Sequence, residues 1–295
     1  MENVPNILLL RKGHFRDLIL NKFVKIGYGN AACFKVSAAD HSVPQLRHRV
    51  FFVGTRDDTA FPFDLRQFFE VQLQKIATKK PFTVWQGIGD LPPRVVASGE
   101  TMTYPIRRSP SPFARMMRLD SDGGPHKKTE KLRGLGSLPL ALYNHHTKEI
   151  QDRRKRLISL LRPGEKGDSL PKNVWNGLRP EKWRRLDPDQ PSYTILAQMH
   201  RDLSEWVHPS LERWITVREA ARLQSFHDGF VFCGSEWQQL KQIGNAVPPL
   251  LAYAIGQVAE RILRCIDADD VEAQPEMSVQ SLLFASDEVE PLVCE

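Results

Sequence analysis

The chain opens on Glu2-Asn3-Val4-Pro5, a carboxylate leaving a short extended stretch into a loop. A carboxyl group so placed can serve as a general acid or base. Farther on, Gln45, Arg47 and Arg49 alternate within VPQLRHRVFFVG, Val43 to Gly54. A guanidinium stays charged and donates in a fixed fork, so either arginine could hold a carbonyl oxygen or a phosphate. Taken singly, Glu2 could instead cap backbone amides, and Arg47 and Arg49 could be surface charges on an edge strand. The four cysteines (Cys33, Cys233, Cys265, Cys294) are scattered, form no C-x-x-C pair and follow no proline. With no histidine at ligand spacing, they argue against a zinc site or disulfide framework. No metal is expected.

Regular elements are needed to hold these groups. Phe15, Leu18, Ile19 and Phe23 recur at helical spacing, which predicts an amphipathic helix against a sheet over about residues 14 to 26. Strands are expected near Ala32 to Val36, with Cys33 read as core, and over Arg49 to Thr55. From Pro81 to about Pro191 the periodicity decays into Pro, Gly, Ser and basic residues, so that region should be loop-rich, with Arg153 to Arg156 decorating a helix. Order returns at TVREAARLQSF, where Thr216 and Glu219 have capping-box spacing. Pro248-Pro249 then suits the first turn of a helix whose Leu251, Ile255, Val258 and Ile262 share one face.

Charge is unevenly spread. All 41 Lys and Arg lie at or before Arg264, whereas 9 of the 35 acids lie beyond Ile266, so residues 1 to 265 carry 41 bases against 26 acids, a net +15. A body that basic points to a polyanion, with nucleic acid foremost, although a solvated basic surface would look the same. No apolar run approaches the ~20 residues that span a bilayer, and the Ile7 to Leu10 cluster is too short for a signal peptide. A cytoplasmic protein is expected.

Taken in order, the opening ENV, VPQLRHRVFFVG, REAARLQSF and QIGNAVPPLLAYAI resemble the later motifs of the DNA (cytosine-5) methyltransferases, and RLDPDQPSYTI (Arg185 to Ile195) resembles the end of that family's target-recognition region. The late helix motif departs from the family by ending in His227-Asp228 where Pro-Asp is usual. The resemblance implies a flipped cytosine whose ring nitrogen 3 meets Glu2, whose exocyclic oxygen meets Arg49, and whose neighbouring phosphate meets Arg47. It also implies that Gln45 holds the loop or a backbone phosphate, and that Thr194-Ile195 lies near the flipped nucleotide. Arg107, Arg108, Arg115, Arg118 and basic residues from Lys127 to Arg133 are expected along the phosphates. Asn245, Ala246 and Val247 would contact the methyl donor, S-adenosylmethionine.

The family's glycine-rich cofactor loop and Pro-Cys nucleophile precede its ENV motif, and neither is found in these 295 residues. The predicted helix and two strands are complete by about residue 55, too few residues for a doubly wound cofactor domain at about 30 residues per unit. The expected fold is therefore α/β: the terminal part of a doubly wound methyltransferase sheet plus a loop-rich, mixed target-recognition domain. Residues 1–78 would give the last strands and helix of the catalytic domain, 79–213 the target-recognition domain, 214–265 the returning helices, and 266–295 an acidic, mobile tail. A complementary chain carrying the glycine-rich loop and Pro-Cys is the expected partner besides duplex DNA. The competing readings are an inactive remnant and a DNA-binding module without catalysis.

Overall fold

The computed structural model describes residues 1–103, 110–118 and 141–269. Its elements begin with β1 (Glu2–Asn3), α1 (His14–Lys25), β2 (Asn30–Ser37), β3 (Gln45–Leu46), β4 (His48–Thr55), α2 (Leu65–Lys75), α3 (Val84–Ile88) and β5 (Met102–Thr103). They continue with α4 (Pro112–Arg118), β6 (Ala141–Leu142), α5 (Asp152–Ser159), β7 (Ser192–Tyr193), α6 (Val217–Leu223), α7 (Glu236–Asn245) and α8 (Pro249–Asp269). The chain divides into two compact units. One holds Met1–Ser42, Arg47–Lys79 and the chain from Leu250; the other holds Val43–Leu46 and Lys80–Pro249.

In the first unit, β4 is the middle strand of an antiparallel sheet ordered β1-β4-β2. Its register runs Glu2 opposite Phe51, and Asn30 opposite Thr55 through to Ser37 opposite His48. Val50, Phe51 and Phe52 are buried in succession, as expected of a strand covered on both faces. On β2 the alternation is strict: Ala32, Phe34 and Val36 are buried, and the Phe34 ring stacks on Phe69 of α2 at 4.1 Å between centroids. Cys33 is not core. The period of two turns it to the opposite face, where it is half-buried.

Helix α1 contacts β2, and Gly54 of β4 leaves room for Phe23, since a Cβ there would lie 3.1 Å from that ring. None of its residues is fully buried, and Leu18 is 45% exposed. Helix α2 is capped by Asp64, whose side chain accepts from the Gln67 amide at 2.7 Å. Arg261 of α8 reaches Gln72 of α2 at 2.7 Å. Leu251, Ala254, Val258 and Ile262 of α8 are buried, the three larger ones stabilising by about 1.5–3 kcal/mol each. Among the described residues no helix is long and apolar enough to cross a membrane.

The second unit has short elements around a core that includes Ile88, Leu142, Ile158, Ile195, Trp214 and Leu240. Its ladders are two residues long: β3 pairs with β7 in parallel and β5 with β6 antiparallel. Side chains supply the order that long ladders would give elsewhere. Arg185, buried, donates to the carbonyls of Ile158, Leu161, His208 and Leu211 and so gathers three segments. Every residue of α6 is buried. Thr216 and Glu219 form its capping box as the spacing predicts, with Glu219 also held by both terminal nitrogens of Arg213 at 2.8 and 2.7 Å. Arg222 is clasped by Asp228 at 2.8 and 2.5 Å and by Asp90 at 2.7 Å, so its buried charge is compensated. The His227-Asp228 departure thus preserves the aspartate that holds Arg222.

Candidate functional site

In the first unit, strand pairing sets Glu2 beside the middle strand, and its Oε1 lies 2.9 Å from Nε of Arg49. The Arg49 side chain is 12% exposed and that of Glu2 32%, so the pair is mostly sheltered but open on the carboxylate side. Arg49 also donates to the His48 carbonyl at 2.8 Å, fixing the guanidinium plane. Burial pushes its pKa down and Glu2 pulls it back. Arg47 is fully buried, and its pKa falls to about 9, first through burial and then through repulsion by Arg49, with Glu2 opposing both. These are not surface charges on an edge strand. β4 is central, and the three side chains form one electrostatically coupled cluster of a carboxylate and two sheltered cations, suited to an electron-rich oxygen or an anion beside an acid.

The second unit brings together motif pieces far apart in sequence. Gln45 pairs with Ser192 and Leu46 with Tyr193 in a two-residue parallel ladder. Thr194, half-buried, donates its hydroxyl to the Leu46 carbonyl at 2.5 Å. Gln45 is fully buried. Its amide nitrogen donates to the Leu223 carbonyl at 3.0 Å and to Oε1 of Gln224 at 2.7 Å, and its oxygen accepts from the Ile195 amide at 3.0 Å. Both donors being committed, Gln45 has none left for a phosphate; it holds the loop.

Asn245 ends α7 with its side chain exposed, while Ala246 and Val247 are half-buried. A side chain at Gly244 would have its Cβ 2.5 Å from the carbonyl carbon of Leu196 and 2.6 Å from the Ala197 nitrogen, so only glycine permits this approach. An exposed amide next to two small apolar residues fits one side of a nucleoside-containing cofactor. No other side is supplied by the turn itself.

Other basic expectations divide. Arg118 is spent on Asp90, at 2.6 Å, instead of facing phosphate, because it flanks the buried Arg222 and shares that carboxylate. Arg115 is exposed on α4. Arg153 to Arg156 decorate α5 as expected and are exposed. Arg107 and Arg108, the basic residues from Lys127 to Arg133, and the acidic stretch from Asp270 on lie outside the described residues. Sequence reasoning passed over Gln224 and Arg184. The first was visible only as a letter within RLQSF; the second lies 3.6 Å over the Tyr193 ring, beside Thr194.

Comparison with known proteins adds an independent line. The family model for C-5 cytosine-specific DNA methylase matches residues 1–261. The chain is 31% identical to the type II methyltransferase M.AgeI of Thalassovita gelatinovora, over 87% of this chain and 72% of that protein. It is likewise 31% identical to the type II methyltransferase M.DdeI of Desulfomicrobium norvegicum, over 89% of this chain and 61% of that one. The crystal structure of a prophage-encoded E. coli DNA modification methyltransferase superposes with a TM-score of 0.62 at 25% identity, covering 89% of this chain and 68% of the other. These 295 residues thus span only part of the length of the relatives they match.

Proposed function

The chain belongs to the C-5 cytosine-specific DNA methylase family, and on that premise we propose that it forms the base-holding and DNA-reading part of a cytoplasmic DNA (cytosine-5) methyltransferase of restriction–modification type. Its substrate is double-stranded DNA with a cytosine turned out of the helix, because ring-face attack is impossible within the stack. The observation that carries the reading is the Glu2–Arg49 pair at 2.9 Å with Arg47 buried two residues away. Glu2 shares a proton with ring nitrogen 3, Arg49 donates to the exocyclic oxygen while orienting Glu2, and Arg47, which has no exposed surface for a phosphate, adds its positive charge from behind the pair. Thr194, with Gln45 behind it, borders the extruded nucleotide. Arg107 and Arg108 follow the phosphates.

S-adenosylmethionine, when bound, supplies the electrophilic methyl group, and Asn245, Ala246 and Val247 would hold one side of it. The thiolate that adds to carbon 6 is not furnished by any Pro-Cys in this sequence. We assign it, with the glycine-rich loop, to a complementary segment, whether on another chain or on a longer form of this one. Labelled methyl incorporation into duplex DNA tests the reading: none from these 295 residues alone, and transfer restored by co-expression with a fragment carrying both motifs. Transfer by the lone chain would overturn the division of labour. A second reading, DNA binding without catalysis, is favoured by the +15 of residues 1 to 265. It would be supported if the complemented protein bound DNA and still transferred nothing.

A further inference from the structure

Two fully buried glutamines form a continuous relay of hydrogen bonds inside the second unit. The Ile195 amide donates to Oε1 of Gln45, Nε2 of Gln45 donates to Oε1 of Gln224, and Nε2 of Gln224 donates to the carbonyls of Ala246 at 2.8 Å and Ile243 at 3.1 Å. Every link has the same polarity. Turning either amide over would set oxygen against oxygen, so the relay has one arrangement. Ile195, Leu223 and Ile243, whose backbones the glutamines bond, are buried and apolar, and an apolar pair could fill the same space without the cost of desolvating two amides. The backbone of the 196–197 segment also abuts Gly244, so the two ends of the relay cannot shift independently.

We propose that Gln45 and Gln224 are positioning residues that couple the Thr194-Ile195 segment to the Asn245–Val247 turn, so that ordering one end orders the other. The functional meaning of this coupling, a link between nucleotide placement and methyl-donor binding, rests on the reading of those two segments given above; the coupling itself does not. Coupling of this kind is reciprocal by linkage.

Hydrogen–deuterium exchange on the full chain tests it without any methyl transfer, so its result stands apart from the fate of the catalytic reading. Protection factors are followed in peptides covering residues 193–197 and 243–248, with α3 (Val84–Ile88) as reference. Gln224→Met should lower protection about five- to tenfold in both peptides, the worth of one or two net hydrogen bonds, and leave α3 unchanged. Gln45→Met should do the same at 243–248, which Gln45 does not touch. Gln224→Glu gives the readout that plain packing cannot. Its carboxylate would face two carbonyls and break the relay near neutral pH, whereas the neutral acid donates again, so protection at both ends should return on acidification to about pH 6, within the raised range of a buried carboxyl. A Gln45→Met effect confined to 193–197, a uniform loss that includes α3, or a Gln224→Glu variant indifferent to pH would each overturn the proposal.

Discussion

On the proposed function, removing the Glu2 carboxylate should separate chemistry from folding. It is one-third exposed and holds no backbone group in place, so Glu2→Gln should leave the fold intact while lowering turnover of the complemented enzyme about 10²- to 10⁴-fold, the contribution of one positioned acid. Arg49→Ala should also lower turnover, and single-turnover methyl transfer on pre-bound DNA reads both; Cys33→Ala, half-buried on the face opposite the core, should leave it unchanged. His208 carries a different prediction. Its Nδ1 accepts from the amides of Ser210 and Leu211, each at 3.1 Å, so it must remain unprotonated, and burial pushes its pKa to about 4 despite Glu219 nearby. A depressed imidazole is protonated in the unfolded chain below about pH 6.5 but in the folded chain only below about 4. Stability is therefore lost as pH falls through that window, by on the order of 2 kcal/mol at about pH 5. Urea unfolding at neutral pH and near pH 5 should show that drop, and His208→Gln should flatten it.

Gly244 shows how elements constrain one another. Helix α7 can end against the 196–197 backbone only because position 244 lacks a Cβ, and backbone, unlike a flexible side chain, cannot swing aside. Gly244→Ala should cost about 1–3 kcal/mol in unfolding free energy, the usual penalty of overpacking. Gly256→Ala on α8, where a Cβ meets nothing within 4 Å, should be neutral or slightly stabilising. Equal effects at the two positions would show that close approach is not what selects Gly244. Much of this layer was legible in the sequence. The helix over residues 14 to 26, the strands around Ala32 to Val36 and Arg49 to Thr55, the Thr216 cap and the Pro249 helix start are all signalled by residue types and spacing within one short segment. What stayed hidden rests on partners far along the chain. The β3–β7 ladder joins two-residue pieces with no periodicity of their own, and Gln45 meets Gln224 across 179 positions, so nothing local distinguishes either glutamine from an ordinary polar residue. Cys33 was misplaced for a subtler reason: a strand predicts two faces, and only one of them is core.

At the scale of the molecule, the proposed function leads to distinct expectations for the methyl donor and for DNA. On the proposed function the turn at Asn245–Val247 would offer only one side of a cofactor site, so these 295 residues should bind S-adenosylmethionine very weakly by calorimetry, and micromolar affinity would contradict the assignment of the rest of that site to a complementary segment. DNA binding should not wait for that segment. The +15 carried by residues 1 to 265 favours a polyanion, and the counterions released from each duplex phosphate that is neutralised should make log affinity fall linearly with log salt. Not every arginine takes part. Arg118, Arg185, Arg218 and Arg222 are committed to carboxylates or carbonyls inside the second unit, so replacing them should damage folding before it changes the slope. Arg107 and Arg108 are the sequence-based choices for binding phosphate. Replacing both with Ala should reduce the magnitude of the slope by roughly 0.9 for each duplex phosphate that is no longer neutralised, with little change in melting temperature. Fluorescence anisotropy on duplex DNA across a salt series measures this directly, and an unchanged slope would take both residues off the interface.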